Sequence, residues 1–261
     1  MSRWRDTARQ RCCLRVGHRG AAALAPQNTL LAFARALELG VDAIELDVRW
    51  TADRKLVVVH DEDLAETTNG RGLVRDHTLV EIETLDAGQG QHIPTLDEVL
   101  ALVKGRALIN VDLKILGYEE QVVRTLEAHG VQNDVLISSL LPENLRRVHA
   151  INPAILTALS YPEDKGGASK KPYLKDVVRV ALALMRATLP WRIGRMVTAA
   201  QAGGAMLHHP LISRGVIDAV HRRSWLIGAW TVDRPEDMIR LRALGVDSIT
   251  SNRPDLLMNI L

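Results

Sequence analysis

Eight short apolar runs, each followed by a helical pattern, constrain the fold of this chain more than any other sequence feature. The runs begin near residues 13, 43, 107, 135, 155, 205, 226 and 248. Strands that alternate with helices in this way build a parallel sheet with the helices packed outside it. Eight such units within about 250 residues make up a TIM (β/α)₈ barrel, so we expect this α/β fold.

A short repeated sequence supports the strand–helix repeat, and one alternative fold has to be considered. Gly40–Ile44 is GVDAI and Gly245–Ile249 is GVDSI, and each joins a glycine that ends a helix to the start of a strand. The alternative is an open, doubly wound sheet, which carries a glycine-rich phosphate fingerprint after its first strand. The sequence GHRGAA at that place does not match GxGxxG. The barrel is therefore favoured, as a single domain over residues 1–261.

Some stretches depart from the strand–helix pattern. Residues 62–92 are polar and rich in turn residues, and a connection of this length predicts an excursion or a small lid after the second strand region. Residues 164–172, DKGGASKKP, predict a flexible loop. Residues 172–195 predict an apolar helix with interspersed basic residues, a combination that can lie on a membrane surface. More often such a helix packs on its own domain, so membrane contact is the less favoured interpretation.

Composition argues against several classes of function. The formal net charge is only +2, and aromatic residues make up only 3%, which disfavours nucleic-acid binding. Cys12 and Cys13 are adjacent and cannot staple a fold in the usual disulfide geometry. The basic N-terminus lacks the apolar segment of a secretory signal, and no window reaches the roughly 20 apolar residues of a membrane span. We expect a soluble, cytoplasmic protein.

Polar and charged residues lie at the carboxyl ends of the predicted strands. Residues i and i+2 of a strand share a face, so Glu45 and Asp47 project together. Alone, such a pair is typical of the solvent face of a hairpin, and a lone histidine or lysine is typical of a core or a surface. In a TIM barrel, however, all of these strand ends meet at one rim. The residues expected there are His18, Arg19, Glu45, Asp47, His60, Asp112, Lys114, Trp230, Asp233 and Asn252.

This set of residues fits metal-assisted cleavage of a phosphate ester. Three carboxylates, Glu45, Asp47 and Asp112, offer the oxygen ligands that a hard divalent cation prefers. The cations Arg19 and Lys114 would neutralise phosphate oxygens as charge develops. His18 and His60 have the side chain whose ordinary pKa suits acid–base work near neutral pH.

The motifs that carry these residues resemble the glycerophosphodiester phosphodiesterase family over nearly the whole chain. Each motif is weak alone, whereas the full set in this order is highly specific. In chain order they are Gly17-His18-Arg19-Gly20, Pro26-x-Asn28-Thr29, Glu45-x-Asp47-Val48, Val59-His60-Asp61, Pro94-Thr95-Leu96-x-Glu98, Asp112-x-Lys114, Trp230-Thr231-Val232 and Thr250-x-Asn252-Arg253-Pro254-Asp255.

The resemblance implies a TIM barrel with a small insertion after His60, which residues 62–92 supply. It implies hydrolysis of a small-molecule glycerophosphodiester to glycerol 3-phosphate and an alcohol. The first attack comes either from the substrate's own 2-hydroxyl, through a cyclic phosphate, or directly from water. The implied roles are Ca²⁺ or Mg²⁺ binding for Glu45, Asp47 and Asp112, acid–base catalysis for His18 and His60, phosphate binding for Arg19 and Lys114, and the substrate pocket for Asn28 and Trp230.

Two departures from the family pattern leave alternative functions open. The family usually has Glu where this chain has Gln27, and often Glu where it has Asp112. The first departure motivates a non-catalytic barrel that retains a phosphate site. A third hypothesis is an enzyme of the lysophospholipase D type that uses residues 172–195 to reach lyso-lipids in a bilayer.

Overall fold

The computed structural model describes residues 2–11, 13–163 and 171–261. Cys12 and most of the predicted flexible loop, residues 164–170, lie outside the described residues. Within the described part, eight parallel strands close into a barrel, because the first strand pairs with both the second and the last. The TIM barrel expected from the sequence is therefore confirmed. The barrel strands are β1 (Leu14–Gly17), β2 (Ala43–Trp50), β4 (Leu108–Leu113), β5 (Val135–Ser139), β6 (Leu156–Tyr161), β7 (Gly204–His208), β8 (Leu226–Trp230) and β9 (Ser248–Ser251).

One further strand and ten helices complete the described chain. Strand β3 (Leu56–Val58) lies outside the barrel and pairs antiparallel with the end of β2. The helices are α1 (Arg3–Arg11), α2 (Leu30–Leu39), α3 (Leu79–Glu83), α4 (Leu96–Val103), α5 (Glu119–Ala128), α6 (Pro142–Ile151), α7 (Lys175–Ala199), α8 (Arg214–His221), α9 (Pro235–Leu244) and α10 (Pro254–Ile260).

Local sequence signals set the ends of several helices. Thr29 caps the start of α2, because its side chain accepts a hydrogen bond from the Ala32 amide. The helix ends at Gly40, whose φ of 81° lies in the left-handed region. Thr95 and Glu98 form the predicted capping box at the start of α4. Gly245, with φ 91°, ends α9 in the same way as Gly40 ends α2.

The echo between the two GVD segments has a structural reason. The carboxylate of Asp42 accepts the backbone N–H of Arg15 on β1, and that of Asp247 accepts the backbone N–H of Ile227 on β8. Each aspartate therefore holds the entry of its own strand against the preceding neighbour in the barrel. The repeated sequence is a repeated strand-entry contact.

Helix α1, which the strand–helix pattern did not predict, closes the amino-terminal end of the barrel. Trp4 is fully buried there, and its indole N–H is 3.1 Å from the Ile109 carbonyl oxygen and 3.0 Å from that of Asp134. Trp4 packs with the inward residues Leu14, Val16 and Leu136. The barrel is thus sealed by an aromatic side chain at the end opposite to the strand carboxyl ends.

Residues 62–92 fold into two short 3₁₀ helices, Leu64–Glu66 and Val74–Asp76, followed by α3. The segment packs around a small apolar cluster that includes Leu64, Val74 and Ile82 and continues into β3 through Val57. This position next to β3 places the segment beside the point where the chain delivers His60.

Helix α7 is 25 residues long, and only its second half is buried against the barrel, through Leu189, Ile193, Gly194 and Val197. It contains the proline at position 190. None of the helices in the described residues is long and apolar enough to cross a membrane.

Candidate active site

A cavity of about 140 Å³ opens among the carboxyl ends of the barrel strands. Seven of the nine residues predicted for the site line it: His18, Arg19, Glu45, His60, Asp112, Lys114 and Trp230. The other two, Asp47 and Asn28, are buried behind this lining. Most of the predicted residues therefore meet around one small volume, as the strand order requires.

Asp47 is the centre of the charge network below the cavity. Its side chain is 1% exposed, and its Oδ1 lies 2.8 Å from Lys114 Nζ, while its Oδ2 lies 3.1 Å from Arg19 Nε. Burial alone would raise the pKa of this carboxyl. The positive charges of Lys114 and Arg19 outweigh burial and hold the pKa of Asp47 well below its usual range. Asp47 is therefore a permanent anion in this network.

Glu45, two residues earlier on the same strand, behaves in the opposite way. Its Oε2 accepts the backbone N–H of Arg19 at 2.9 Å and lies 3.8 Å from His18 Nε2. Burial, and secondly the negative charge of Asp47, raise the pKa of Glu45 well above its usual range. The two neighbouring carboxyls of this strand therefore have pKa values shifted in opposite directions.

Lys114 bridges two neighbouring strands. In the barrel register Asp47 on β2 lies opposite Asp112 on β4, and Lys114 Nζ reaches both, at 2.8 Å and 2.5 Å. Burial would lower the pKa of Lys114, but the charges of Asp112 and Asp47 raise it above its usual range, so the amine is positively charged. Asp112 Oδ1 also accepts the hydroxyl of Ser138, its register partner on β5, at 2.7 Å.

His18 is held by a chain of hydrogen bonds from the last barrel strand. Its Nδ1 lies 2.7 Å from Asn252 Oδ1, while Asn252 donates its backbone and side-chain N–H groups to Asp233 at 2.8 Å and 2.7 Å. Because the amide of Asn252 donates to Asp233, its oxygen faces His18, which makes Nδ1 of the ring the donor. Burial and the neighbouring Arg19 lower the pKa of His18 to about 4. His18 is therefore a neutral imidazole whose Nε2 carries a lone pair on the side of Glu45.

His60 has a different environment. Its Nδ1 lies 2.9 Å from the carboxylate of Asp61, and its backbone carbonyl accepts from Arg49 at 2.9 Å. The ring is one-third exposed, against 14% for His18. The two histidines thus differ in the groups that orient them and in their contact with water.

The departure at position 27 has a direct contact in the site. Gln27 accepts a short hydrogen bond from a guanidinium nitrogen of Arg19, whose Nε also faces Asp47. Arg19 itself adopts φ +50°, which is a left-handed backbone conformation. The amide of Gln27 therefore supports the guanidinium without adding a negative charge.

The two predicted pocket residues have different positions. Trp230 lines the cavity and donates its indole N–H to the Met206 carbonyl at 2.8 Å. Asn28 donates to Asp47 Oδ2 at 2.8 Å and, through its own oxygen, accepts the Asp47 backbone N–H at 3.4 Å. Asn28 therefore supports Asp47 from behind the cavity.

Four residues that support the site were not among the predicted set. Asn252 and Asp233 were expected at the rim, but no role was assigned to them. Their distance from His18 in the sequence does not indicate that the three side chains are linked by hydrogen bonds. Ser138 could have been found from the strand register, because it lies opposite Asp112. Tyr118 donates its hydroxyl to the Val48 carbonyl and accepts the Lys114 amide, and no local pattern indicates this.

Three carboxyl side chains at the cavity offer oxygen donors for a divalent cation. Across the described residues, no three His, Cys, Asp or Glu side chains converge as a ready metal site, and Lys114 bridges two of the candidate carboxylates. The chemistry of the donors nevertheless fits, because Glu45, Asp47 and Asp112 are adjacent, buried and oxygen-only. The donors thus suit a hard cation once Lys114 releases a carboxylate.

Comparison with known proteins agrees with this geometry. The model of the glycerophosphoryl diester phosphodiesterase family matches residues 18–256. A glycerophosphodiester phosphodiesterase of Caldanaerobacter subterraneus is 34% identical to this chain, with 94% of this chain and 96% of the relative covered.

Solved structures are similar over the same span. The crystal structure of a glycerophosphodiester phosphodiesterase from Agrobacterium tumefaciens has a TM-score of 0.78 and 30% identity, and covers 95% of this chain and 100% of its own. A phosphodiesterase from Oleispira antarctica, solved in complex with its product sn-glycerol-3-phosphate, has a TM-score of 0.79 over 97% of this chain and 98% of its own. At 23% identity the second similarity concerns the fold alone.

Proposed function

Because this chain belongs to the glycerophosphoryl diester phosphodiesterase family and is an enzyme of that class, we propose that it hydrolyses glycerophosphodiesters by acid–base catalysis through His18 and His60. The products are glycerol 3-phosphate and an alcohol. The observation that carries this proposal is the contrast between the two histidines that line one cavity. One is neutral and fixed by Asn252, and the other has a carboxylate partner.

His18 is the base. Its pKa of about 4 leaves it neutral at pH 7, and the Asn252 contact at Nδ1 leaves Nε2 to accept a proton. The attacking group is the 2-hydroxyl of the glycerol or a water molecule, and either gives up its proton to Nε2. Burial and, secondly, the charge of Arg19 lower the pKa of His18. When the incoming phosphate neutralises Arg19, His18 therefore becomes a stronger base.

His60 is the acid. The carboxylate of Asp61 accepts from Nδ1 and orients the ring, so that Nε2–H can protonate the departing alcohol oxygen. Its greater exposure fits this role, because the alcohol leaves toward solvent. In a second hydrolytic step through a cyclic phosphate, the two histidines would exchange these roles.

Arg19 and Lys114 bind the phosphate. Both line the cavity, and both are charged and held in place by Asp47 before the substrate arrives. Preorganised cations of this kind stabilise the negative charge that develops on phosphate oxygens. Trp230 closes one side of the cavity as an apolar wall for the substrate.

Glu45, Asp47 and Asp112 would hold a divalent cation, Ca²⁺ or Mg²⁺. The resemblance of the motifs to the family implies a divalent cation at these three carboxyls. When bound, the cation supplies Lewis-acid neutralisation of the phosphate. Asp112, one methylene shorter than the family's usual glutamate, is held at its Oδ1 by Ser138. The other oxygen of Asp112, Oδ2, contacts Lys114. The lysine and a bound cation would therefore compete for this carboxylate.

The test measures release of glycerol 3-phosphate from glycerophosphocholine and glycerophosphoethanolamine, first in EDTA and then with added Ca²⁺ or Mg²⁺. We expect the metal to restore turnover, and His18→Ala and His60→Ala to lower kcat by about 10²–10⁴-fold. His129→Ala is the control, because His129 pairs with Asp97 on the surface. Turnover that persists in EDTA, or in both active-site variants, would refute the assignment. Absence of turnover with any metal would shift the weight to lyso-lipid substrates, and failure with those as well would favour the binding-barrel alternative and point to Gln27 and Asp112.

A further inference from the structure

An apolar stripe runs along the outer face of α7 and begins with Tyr173 in the short 3₁₀ turn before the helix. Five of the ten large apolar side chains that are exposed among the described residues fall within residues 173–191, each between 56% and 78% exposed. Their spacing alternates between four and three residues once Ala187 is included, so they form one face of a helix. The stripe consists of Tyr173, Val177, Val180, Leu184, Ala187 and Trp191.

The opposite side of the same helix is already occupied. Leu182 and Met185 are half-buried and pack on the hydrophobic core of the barrel. The stripe therefore points away from the protein. Exposed apolar side chains that occur singly need no explanation, but an apolar face of this length does.

The stripe extends above the rim that bears the active site. The end of α7 at Ala199 leads directly into β7 at Gly204, so the helix runs down toward the amino-terminal ends of the strands. Arg186 donates to the carbonyl of Pro210, which follows β7 at the rim and marks the level of the site. The part of α7 before Arg186 therefore extends past the level of the site.

The positive charge of the segment that carries the stripe favours one kind of partner. Residues 171–195 contain six cationic residues, Lys171, Lys175, Arg179, Arg186, Arg192 and Arg195, against the single acidic residue Asp176. The alternating spacing of the stripe would also suit a second copy of this chain. Two copies would, however, bring the same cationic residues together, which is unfavourable. A helix with an apolar outer face and with Lys and Arg on its other faces suits an anionic lipid surface.

We propose that residues 173–191 form a docking element that binds the surface of membranes containing anionic lipids. The apolar stripe enters the boundary between head groups and acyl chains, and Lys175 and Arg179 contact lipid phosphates. The helix lies on the membrane without crossing it. Two other exposed apolar residues, Leu24 and Leu116, follow β1 and β4 at the same rim, so the mouth of the cavity faces the side of the molecule that docks.

The test is flotation of the full chain with vesicles of phosphatidylcholine alone and of phosphatidylcholine mixed with phosphatidylglycerol. We expect binding to the mixed vesicles only, weakened by salt. Lys175→Ala/Arg179→Ala should bind about 25-fold more weakly at low salt, since each basic residue near an anionic surface contributes about a fivefold effect. Val180→Ser/Leu184→Ser should bind at least about tenfold more weakly. The matched control is Ile239→Ser, an equally exposed apolar residue on α9.

A second measurement reports insertion directly. Brominated acyl chains should quench part of the tryptophan emission of the wild type, and Trp191→Phe should lose that quenched part. Melting curves by circular dichroism verify that each variant is folded, and none of these readouts depends on turnover. Equal binding of all variants, or no binding to mixed vesicles, would overturn the proposal. So would a dimer that Val180→Ser/Leu184→Ser dissociates in the absence of vesicle binding, because the stripe would then belong to a second copy.

Discussion

The hydroxyl of Tyr118 offers the sharpest test of how the fold supports the site. It donates to the carbonyl of Val48 at 2.7 Å and accepts the backbone N–H of Lys114 at 2.9 Å. Val48 pairs with Leu113 in the last register position shared by β2 and β4. One oxygen atom therefore joins the two strands just beyond their ladder, at the residue whose amine reaches Asp47 and Asp112.

The variant Tyr118→Phe removes this oxygen and keeps the ring, which packs against Trp50 with centroids 6.0 Å apart. The Val48 carbonyl and the Lys114 amide each lose this hydrogen-bond partner, and Val48 is fully buried. An unsatisfied buried backbone group costs about 1–3 kcal/mol, so the two together predict a loss of about 3 kcal/mol. For a domain of this size the melting temperature should fall by roughly 6–12 °C.

The assay is urea unfolding followed by circular dichroism, with kcat measured on the same preparations. We expect a lower midpoint with an unchanged m-value, because the variant alters stability and not the extent of unfolding. We also expect kcat to fall about tenfold, since Lys114 loses an anchor and small misplacements near a reacting group are costly.

Trp4→Phe is the matched control. It also removes a buried donor shared by two backbone groups, but at the opposite end of the barrel. It should destabilise the protein comparably and leave kcat unchanged. A loss of less than about 0.5 kcal/mol in Tyr118→Phe would refute the reasoning, because the bridging hydroxyl would then contribute less than a single ordinary hydrogen bond. An equal loss of kcat in both variants would show that destabilisation alone explains it.

Three further predictions concern the floor of the site. Asp47→Asn should cost about 3–5 kcal/mol at pH 7, because it leaves Lys114 and Arg19 undercompensated. The charges of Lys114 and Arg19 outweigh burial and lower the pKa of Asp47 in the folded protein. The stability that ionised Asp47 contributes is therefore present above its ordinary pKa of 3.8 and is lost as the pH falls below that value. In acid unfolding, the difference in stability between wild type and Asp47→Asn should therefore shrink. Gly20→Ala should lose at least about 3 kcal/mol in urea, because φ is +83° and a Cβ would lie 2.6 Å from the Ala32 backbone carbon. Gln27→Glu should raise kcat/KM by up to about tenfold, because a charge-assisted bond holds Arg19 more firmly; an unchanged or lower value would contradict this.

The elements that the sequence predicted are those set by neighbouring residues. The strand alternation, the Thr29 and Thr95 caps and the ends at Gly40 and Gly245 depend on contacts within a few residues. The paired projection of Glu45 and Asp47 follows from the two-residue period of a strand. These features could be predicted because their physical causes lie inside a short window of sequence.

The contacts that the sequence did not predict join residues far apart in the chain. Trp4 bonds to Ile109 across 105 positions, and His18 meets Asn252 across 234. Such contacts depend on which strands become neighbours when the barrel closes. The bridge of Lys114 between Asp47 and Asp112 likewise requires the β2–β4 register, which composition and motif spacing do not specify.

The charges at the site bear on the proposed role of a cation. Among the described residues at the cavity, the carboxyls of Glu45, Asp47 and Asp112 lie beside two side-chain cations, Arg19 and Lys114, and both of these already contact Asp47. An anionic phosphodiester entering this network would compete with Asp47 and Asp112 for the same amine. Lys114 can turn to the phosphate without exposing a buried anion only if those carboxylates are compensated by other means. The affinity of the site for substrate and for a divalent cation should therefore be coupled, with each raising the other through the release of Lys114.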